Sequence, residues 1–477
     1  MPQPRALGAW ALLRTLRANP LECWTKAHFE EPIVLGGFPF ARVAVISDPA
    51  AIRRILVEDQ SAYCKSAIER RILSAPMRNG LVTVDGEQWQ KLRRILAPLF
   101  GRRMIAGFSS AVAGVAAALV ARWRALSEGS VVEIKSEMSR VAIEGLLGCI
   151  FSDGLGDADK VRAATVRYYA SCGGLDPFDV IGPPDFVPRL TRLRGRSARS
   201  TFDRTLDVAI AERRRNLAAD ANVPRDMLGA MLAAADPETG ERMTEAEVKD
   251  NVVTMIFGGQ ETTSSALTWA IYLLSHSHEW RERVVAEAQA AMTGSAAGAA
   301  EALPQTRAVV EEALRLYPPI IGITRTALRR TELAGKTIER GTVVIISPYV
   351  LHRHRRLWRD PDLFDPTRFL PGPAKSVERY TYLPFGAGPR VCVAAGFALQ
   401  EATIVLATLM RNFVLDLAPG ERVWPVIDFT LRPRGGLCMT VRRRAAGRES
   451  DAAPDHAEAS LVPAGADPHP TDRVKAP

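Results

Sequence analysis

The sequence predicts a mainly helical fold with a small β-rich region, and three observations carry that expectation. Thr244-Glu245-Ala246-Glu247 is a capping-box signature, followed by the apolar positions Val248, Val252, Ile256, Leu267, Ile271 and Leu274 with no proline before residues 275–278. Roughly thirty residues at 1.5 Å each give about 45 Å, enough to cross a whole domain. Residues 111–126 are Ala/Val-rich and residues 131–150 amphipathic, so both read as core helices. Against these stand two short β-rich runs, Ile33-Val34-Leu35 and Val43-Ala44-Val45-Ile46, set around Gly36-Gly37 as a hairpin.

Taken in order, the next element starts at Asp48-Pro49, an N-cap followed by a proline at the first helical position, and runs to about Glu58. From there to Thr83 the pattern is irregular, with Pro76, Asn79 and Gly80 as breakers. Asp85-Gly86-Glu87-Gln88-Trp89 opens a helix reaching about Ala97, and Trp89 and Arg93, four apart, share one face of it. An indole N–H beside a guanidinium makes a clamp for a carboxylate; an exposed aromatic–arginine pair is the rival reading. Residues 171–188 crowd Gly173-Gly174, Pro177-Phe178, Pro183-Pro184 and Phe186 together, which suggests an ordered lid.

The long helix carries Gly258-Gly259-Gln260-Glu261-Thr262-Thr263 at its middle. Two glycines there cost about 1 kcal/mol each against alanine, so something offsets them. Close approach of a flat ligand is one candidate and helix packing is the other. After an Ala/Gly-rich linker, residues 291–303, a helix bears Glu311-Glu312-Ala313-Leu314-Arg315 and stops at Pro318-Pro319. Glu312 and Arg315 face each other, and such a pair is ordinarily a surface one worth under about 1 kcal/mol. Ile323-Thr324-Arg325 then precedes Thr342-Val343-Val344-Ile345-Ile346, a buried-strand run.

Phe385-Gly386-Ala387-Gly388-Pro389-Arg390-Val391-Cys392 excludes regular structure before its cysteine, which therefore ends a tight loop. A mostly apolar helix with Glu401 on it follows. A thiolate just ahead of a helix start is stabilised by the helix dipole and free N–H groups, as an anionic metal ligand requires. A buried inert cysteine is the alternative. Arg390 adds a cation suited to an anionic cofactor edge.

Phe385, Gly388, Arg390 and Cys392, with Phe397, Ala398 and Glu401 behind them, resemble the haem-binding signature of the cytochromes P450. This chain has Ala394 where that family usually has glycine. Trp89 and Arg93 resemble its W-x-x-x-R, Gly258 to Thr263 its [A/G]-G-x-[D/E]-T-T, and Glu312 and Arg315 with Arg368 its buried E-x-x-R set. The resemblance covers residues 33–445. It implies that family's helical fold, with haem b between the central long helix and the loop of Cys392. It further implies Cys392 as the iron ligand, and Trp89, Arg93, Arg390 and Arg325 as anchors of the haem propionates. Gly258 and Phe385 would lie against the haem, and Glu312, Arg315 and Arg368 would hold the cysteine loop. Glu261 and Thr262 would deliver protons, with Glu261 taking them from solvent by swinging outward. The reaction implied activates O2 and inserts one oxygen atom into an apolar small molecule. A thiolate ligand favours the O–O cleavage this needs.

Length alone suggests two or three domains for 477 residues, but motifs spread from residue 85 to residue 401 must converge on one site. We expect an N-terminal segment (1–32), one catalytic domain (33–445) and a disordered tail (446–477) rich in Ala, Asp, Pro and His. Six cysteines without zinc or disulfide spacing fit a reducing compartment, hence a cytoplasmic protein. Residues 10–13 are too short an apolar run for a signal peptide, and no stretch of about 20 uninterrupted apolar residues offers a transmembrane segment. The net charge is +9, yet no nucleic-acid motif accompanies the arginine clusters at 213–215 and 442–444. That charge suits docking of an acidic ferredoxin onto a monomer. Flavin and iron–sulfur motifs are missing, so electrons from NAD(P)H would arrive through a separate ferredoxin and reductase. A haem-thiolate peroxygenase or an isomerase would not need Glu261 and Thr262. A non-catalytic haem sensor would usually carry a signalling module, and none is visible.

Overall fold

The computed structural model describes residues 2–38, 41–152, 163, 165, 167, 168, 196–219, 226–292, 300–372 and 377–444. Its first helix, α1 (Ala9–Ala18), ends at Asn19, whose amide donates to the Pro425 carbonyl at 3.0 Å. The hairpin forms from β1 (Ile33–Phe38) and β2 (Ala41–Ile46), but Gly36 and Gly37 lie inside β1, opposite Val43 and Arg42. Glycine is tolerated there because β1 is an edge strand and nothing packs where a Gly36 Cβ would be. Asp48 caps α2 (Pro49–Arg53), accepting from the Ala51 N–H at 2.7 Å, and the chain continues to Glu58 as a π-helical turn.

Between Glu58 and Thr83 the structure is more regular than the sequence suggests. A strand, β3 (Tyr63–Lys65), precedes a helix, α3 (Ala67–Met77). Ser66 starts that helix by accepting from the Glu69 N–H at 3.1 Å. Pro76 lies one residue before the helix end and forfeits only its own bond to the Ile72 carbonyl. Two helices follow as expected, α4 (Gly86–Leu96) and α5 (Ser109–Arg124). The amphipathic stretch from residue 131 divides into β4 (Ser130–Glu133) and α6 (Ile134–Ile150). Glu133 enforces the break, its carboxylate accepting from the N–H groups of Lys135 at 2.9 Å and Ser136 at 2.8 Å.

The long helix, α7 (Glu245–Ser275), spans 31 residues and begins at the capping box, with Thr244 and Glu247 each bonding the other's backbone N–H. Its middle and C-terminal half are almost wholly buried against α6, α8 (Pro304–Leu316) and a later helix, α9 (Ala395–Asn412). Two strands, β5 (Ile323–Ala327) and β6 (Val343–Ile346), complete a five-stranded sheet of order β1-β2-β6-β5-β3. Only the β2–β6 pairing is parallel. A second sheet, β4-β8-β7, joins β4 to β7 (Phe413–Leu417) and β8 (Cys438–Arg443). The fold is therefore mainly helical with a smaller β region. Residues 171–188 and 446–477, expected as lid and tail, lie outside the described residues.

By length and composition one helical stretch, Arg102–Arg124, could cross a membrane, because residues 104–121 carry no charge. It breaks at Phe108, and Val112, Ala116, Leu119 and Trp123 of α5 are buried in the core with α6 and α9. These contacts make α5 a core helix.

Glu312 and Arg315 are fully buried, not superficial. Arg315 forks onto both Glu312 oxygens at 2.7 Å and donates to the carbonyls of His352 (2.9 Å), Pro361 (2.7 Å) and Leu363 (2.8 Å). Arg368 approaches Glu312 at 3.6 Å. Removing one partner of such a pair strands the other charge in the interior. Arg315→Ala is expected to cost about 3–5 kcal/mol, read as a lowered midpoint of urea unfolding, with Glu312→Gln milder because the amide oxygen still accepts.

Candidate active site

Cys392 closes the loop that the glycine and proline spacing anticipates. Its N–H donates to the Phe385 carbonyl at 2.9 Å, and Gly388–Arg390 forms a 3-10 turn inside. Gly386 (φ 72°) and Gly388 (φ 73°) sit in the left-handed region. A Cβ at Gly388 would also lie 2.1 Å from the Leu56 carbonyl oxygen, so the loop seats on the π-helical turn. Ala394 has φ −95°, so the usual glycine is not required there. Its N–H bonds the Cys392 sulfur, while burial pushes the thiol up and Arg93 pulls it down. Cys392 keeps free surface although protein surrounds it.

Around this loop the structure assembles cations. Arg93 donates to the Val391 carbonyl at 2.9 Å, and the Arg390 guanidinium stacks 4.1 Å over the Trp89 ring. Arg390 also pairs with Asp85, which explains why that residue does not cap α4 with its side chain. Arg325 on β5 lies opposite Lys65 on β3 and approaches Glu69 at 3.5 Å. Lys65 is buried and donates to the Val84 carbonyl at 3.0 Å. Burial and the charges of Arg390 and Arg325 pull its ammonium down to about 8, against the opposing effect of Asp85 and Glu69. Four cations thus share two carboxylates, a surplus that a dianionic group would neutralise.

On α7 the two glycines divide their tasks. A Cβ at Gly259 would stand 2.9 Å from Leu146 of α6, so this glycine serves helix packing. Nothing lies within 4 Å of a Cβ at Gly258, so that face is open. The Thr262 hydroxyl donates to the Gly258 carbonyl at 2.6 Å, leaving its lone pairs free. Glu261 meets Lys135 of α6 at 3.0 Å and accepts from the Thr430 hydroxyl at 3.0 Å. Lys135 is buried and also donates to Ser264 at 2.7 Å and Ser139 at 3.4 Å. Glu401, on α9, bonds Thr263 of α7 and is desolvated enough to be pushed up to about 8. Its Oε1 has no partner and fills the place of a Gly145 side chain.

Lys65 and Lys135 are the site residues that sequence reasoning missed. Lys135 had a signal, since Lys135 and Ser139, at i and i+4, interrupt an apolar run of Ile134, Met138 and Val141. Lys65 had none, because its neighbours come from β5 and the cysteine loop.

The family model for "Cytochrome P450" matches residues 4–439. Cyclooctatin synthase of Streptomyces melanosporofaciens is 33% identical over 386 residues, covering 79% of this chain and 81% of that protein. Pentalenene oxygenase of Streptomyces avermitilis is 29% identical over 407 residues, 84% of this chain and 88% of that one. The crystal structure of the cytochrome P450DA heme domain superposes with a TM-score of 0.80 at 25% identity, covering 93% and 98% of the two chains. This chain belongs to the cytochrome P450 family. It is a haem-dependent monooxygenase of apolar small molecules that works with O2 and redox partners.

Glu401 gives a pH signature. Its folded-state pKa near 8 lies above the ordinary carboxyl value of 4.5, so the folded protein holds a proton that the unfolded chain has lost in between. Stability therefore falls as pH rises through that window. Glu401→Gln, neutral throughout, is expected to flatten this slope and to raise the unfolding midpoint above pH 8 in denaturant titrations.

Proposed function

We propose that Cys392 would hold the iron of haem b as a thiolate, and that Glu261 and Thr262 deliver protons for O2 activation. The observation that carries this reading is the Cys392 loop itself, whose sulfur accepts from the Ala394 N–H and feels the charge of Arg93, with surplus cations nearby. These residues fit haem. Cys392 would hold the haem iron through its sulfur as a thiolate. The propionates would neutralise Arg93, Arg325, Arg390 and Lys65, with the Trp89 N–H as a further donor, and Gly258 and Phe385 would border the ring. Haem supplies the O2 chemistry when bound.

The protein's own work is positioning and proton supply. Thr262 has committed its proton to Gly258, so its oxygen offers lone pairs to a water molecule. Glu261 lies next to it along the helix, held by Lys135 and Thr430. Ile321, Ile323 and Phe429, half-buried, with Ile320 more exposed, would present apolar surface to the substrate. Relatives include a cyclooctat-9-en-7-ol 5-monooxygenase and a leukotriene-B4 omega-hydroxylase, names that denote largely hydrocarbon molecules. We place this chain's substrate in that apolar class.

Electrons from NAD(P)H would arrive through a separate reductase and an acidic ferredoxin, drawn to a cytoplasmic monomer of net charge +9. The catalytic domain would be residues 33–445. Steering of this kind makes the reduction rate fall as ionic strength rises.

Two variants test the reading together. The ferrous–CO form should show the red-shifted Soret band of thiolate-ligated haem, and Cys392→Ser should lose it; a retained band means another ligand. Thr262→Ala should keep that band and bind substrate, but release most of its reduced oxygen as hydrogen peroxide. Full coupling in Thr262→Ala on a good substrate would remove Thr262 from proton delivery.

A further inference from the structure

We propose that Lys135 is the proton-entry residue of this site, feeding Glu261 in place from the α6 side through Ser139. The inference rests on the reading of Glu261 and Thr262 as the proton-delivering pair. It replaces an acid that swings outward to solvent with a fixed acid refilled from behind.

The geometry argues against a swinging Glu261. Its Oε1 is engaged twice, by the Lys135 ammonium at 3.0 Å and the Thr430 hydroxyl at 3.0 Å, and Thr430 is itself bonded to Ser265 at 2.9 Å. Lys135, Thr430 and Ser265 are all buried. Outward rotation of Glu261 would leave a buried ammonium with only two serine hydroxyls, the costly case of a stranded interior charge. Glu261 therefore stays where the Lys135 ammonium can hand it a proton directly.

Lys135 is built for that role. Burial weakens its hold on its proton, opposed chiefly by Glu261. In the transfer, one Nζ–H bond breaks and one O–H bond forms at Glu261 Oε1, while the electron pair of the broken bond remains on nitrogen. Both charges vanish together, so the dry interior tolerates the product. Glu261 then yields its proton towards the water held at Thr262. The amine regains a proton through Ser139, 3.4 Å away and half-buried, whose oxygen accepts one as its own hydrogen passes to Nζ. Two other charged groups face Lys135. Glu133 is occupied by the N–H groups of Lys135, Ser136 and Leu437, and Arg432 is paired with Asp428 at 2.7 Å. Neither competes as the proton source.

Substituting Lys135 with arginine or methionine separates relay from anchorage. A guanidinium keeps the ion pair but does not release its proton, whereas methionine removes both functions. In the holoenzyme, Lys135→Arg and Lys135→Met are expected to keep the thiolate-type ferrous–CO band and the substrate-binding shift. Both should lose about tenfold or more of donor-supported turnover and show a larger solvent deuterium isotope effect. Ser139→Ala should lose about threefold, as water substitutes in part. Apart from turnover, the infrared spectrum of resting Lys135→Met should gain a protonated-carboxyl band that is absent from Lys135→Met/Glu261→Gln. Wild-type turnover and pH profile in Lys135→Arg would overturn the relay and leave Lys135 as an anchor alone. A missing carboxyl band would overturn the pairing itself. If Lys135→Met fails to fold, the arginine variant decides the question. A wild type that turns over with peroxide but never with O2 and a donor would instead overturn the underlying function, a result distinct from rescue by arginine.

Discussion

The structure depends on Arg315. A guanidinium presents five N–H donors in a rigid fork, and here they are distributed over both Glu312 oxygens and three carbonyls from residues 352, 361 and 363. Those carbonyls belong to a long stretch of little regular structure that leads to the cysteine loop. Such a stretch has no ladder of its own, so its backbone groups need partners from elsewhere. Glu312 adds an acceptor for the Asp365 N–H at 2.8 Å, and His352, buried and driven down to about 3, accepts from the Leu383 N–H at 2.8 Å. A histidine kept neutral in this way can accept at one ring nitrogen at any ordinary pH. The chain thus reaches Phe385 already fixed, and the loop of Cys392 needs only its glycines and its seat on Leu56.

From that fixed loop the site is built by opposing demands of space and charge. Gly258 and Gly259 are adjacent, yet one faces an opening and the other a leucine of α6. A helix turns 100° per residue, so two glycines in sequence serve two different surfaces. Sequence could pose the choice between ligand approach and packing but could not divide it. The structure assigns Gly259 to packing and leaves Gly258 facing open space.

Much of the site was legible because the groups involved are local. The loop before Cys392, the face shared by Trp89 and Arg93, and the cap at Thr244 each lie within one turn or one loop, where spacing alone determines geometry. The failures have a physical pattern too. Residues 59–83 read as irregular because Pro76, Asn79 and Gly80 are breakers, yet Pro76 removes only its own N–H bond from a helix that Ser66 caps. Residues 131–133 looked helical by amphipathic period, but Glu133 caps the following helix and β8 offers those residues a strand partner. Lys65 and Lys135 take their meaning from groups far away in sequence, Arg325 and Glu261, and no local spacing reports such meetings.

The pair of Lys135 and Glu261 shows how those two kinds of information combine. Glu261 before Thr262 marks an acid beside an alcohol on one helix turn, a local fact. Only the fold shows that the acid's counter-charge comes from α6, in direct contact at 3.0 Å. A pocket that must stay dry for an apolar substrate cannot also admit bulk water to carry protons. An ion pair enclosed by Ser139, Ser264 and Thr430 reconciles the two demands. It stores a proton on nitrogen and has the half-buried Ser139 at its outer end. The cost of burying those charges is then the condition for keeping the rest of the pocket apolar.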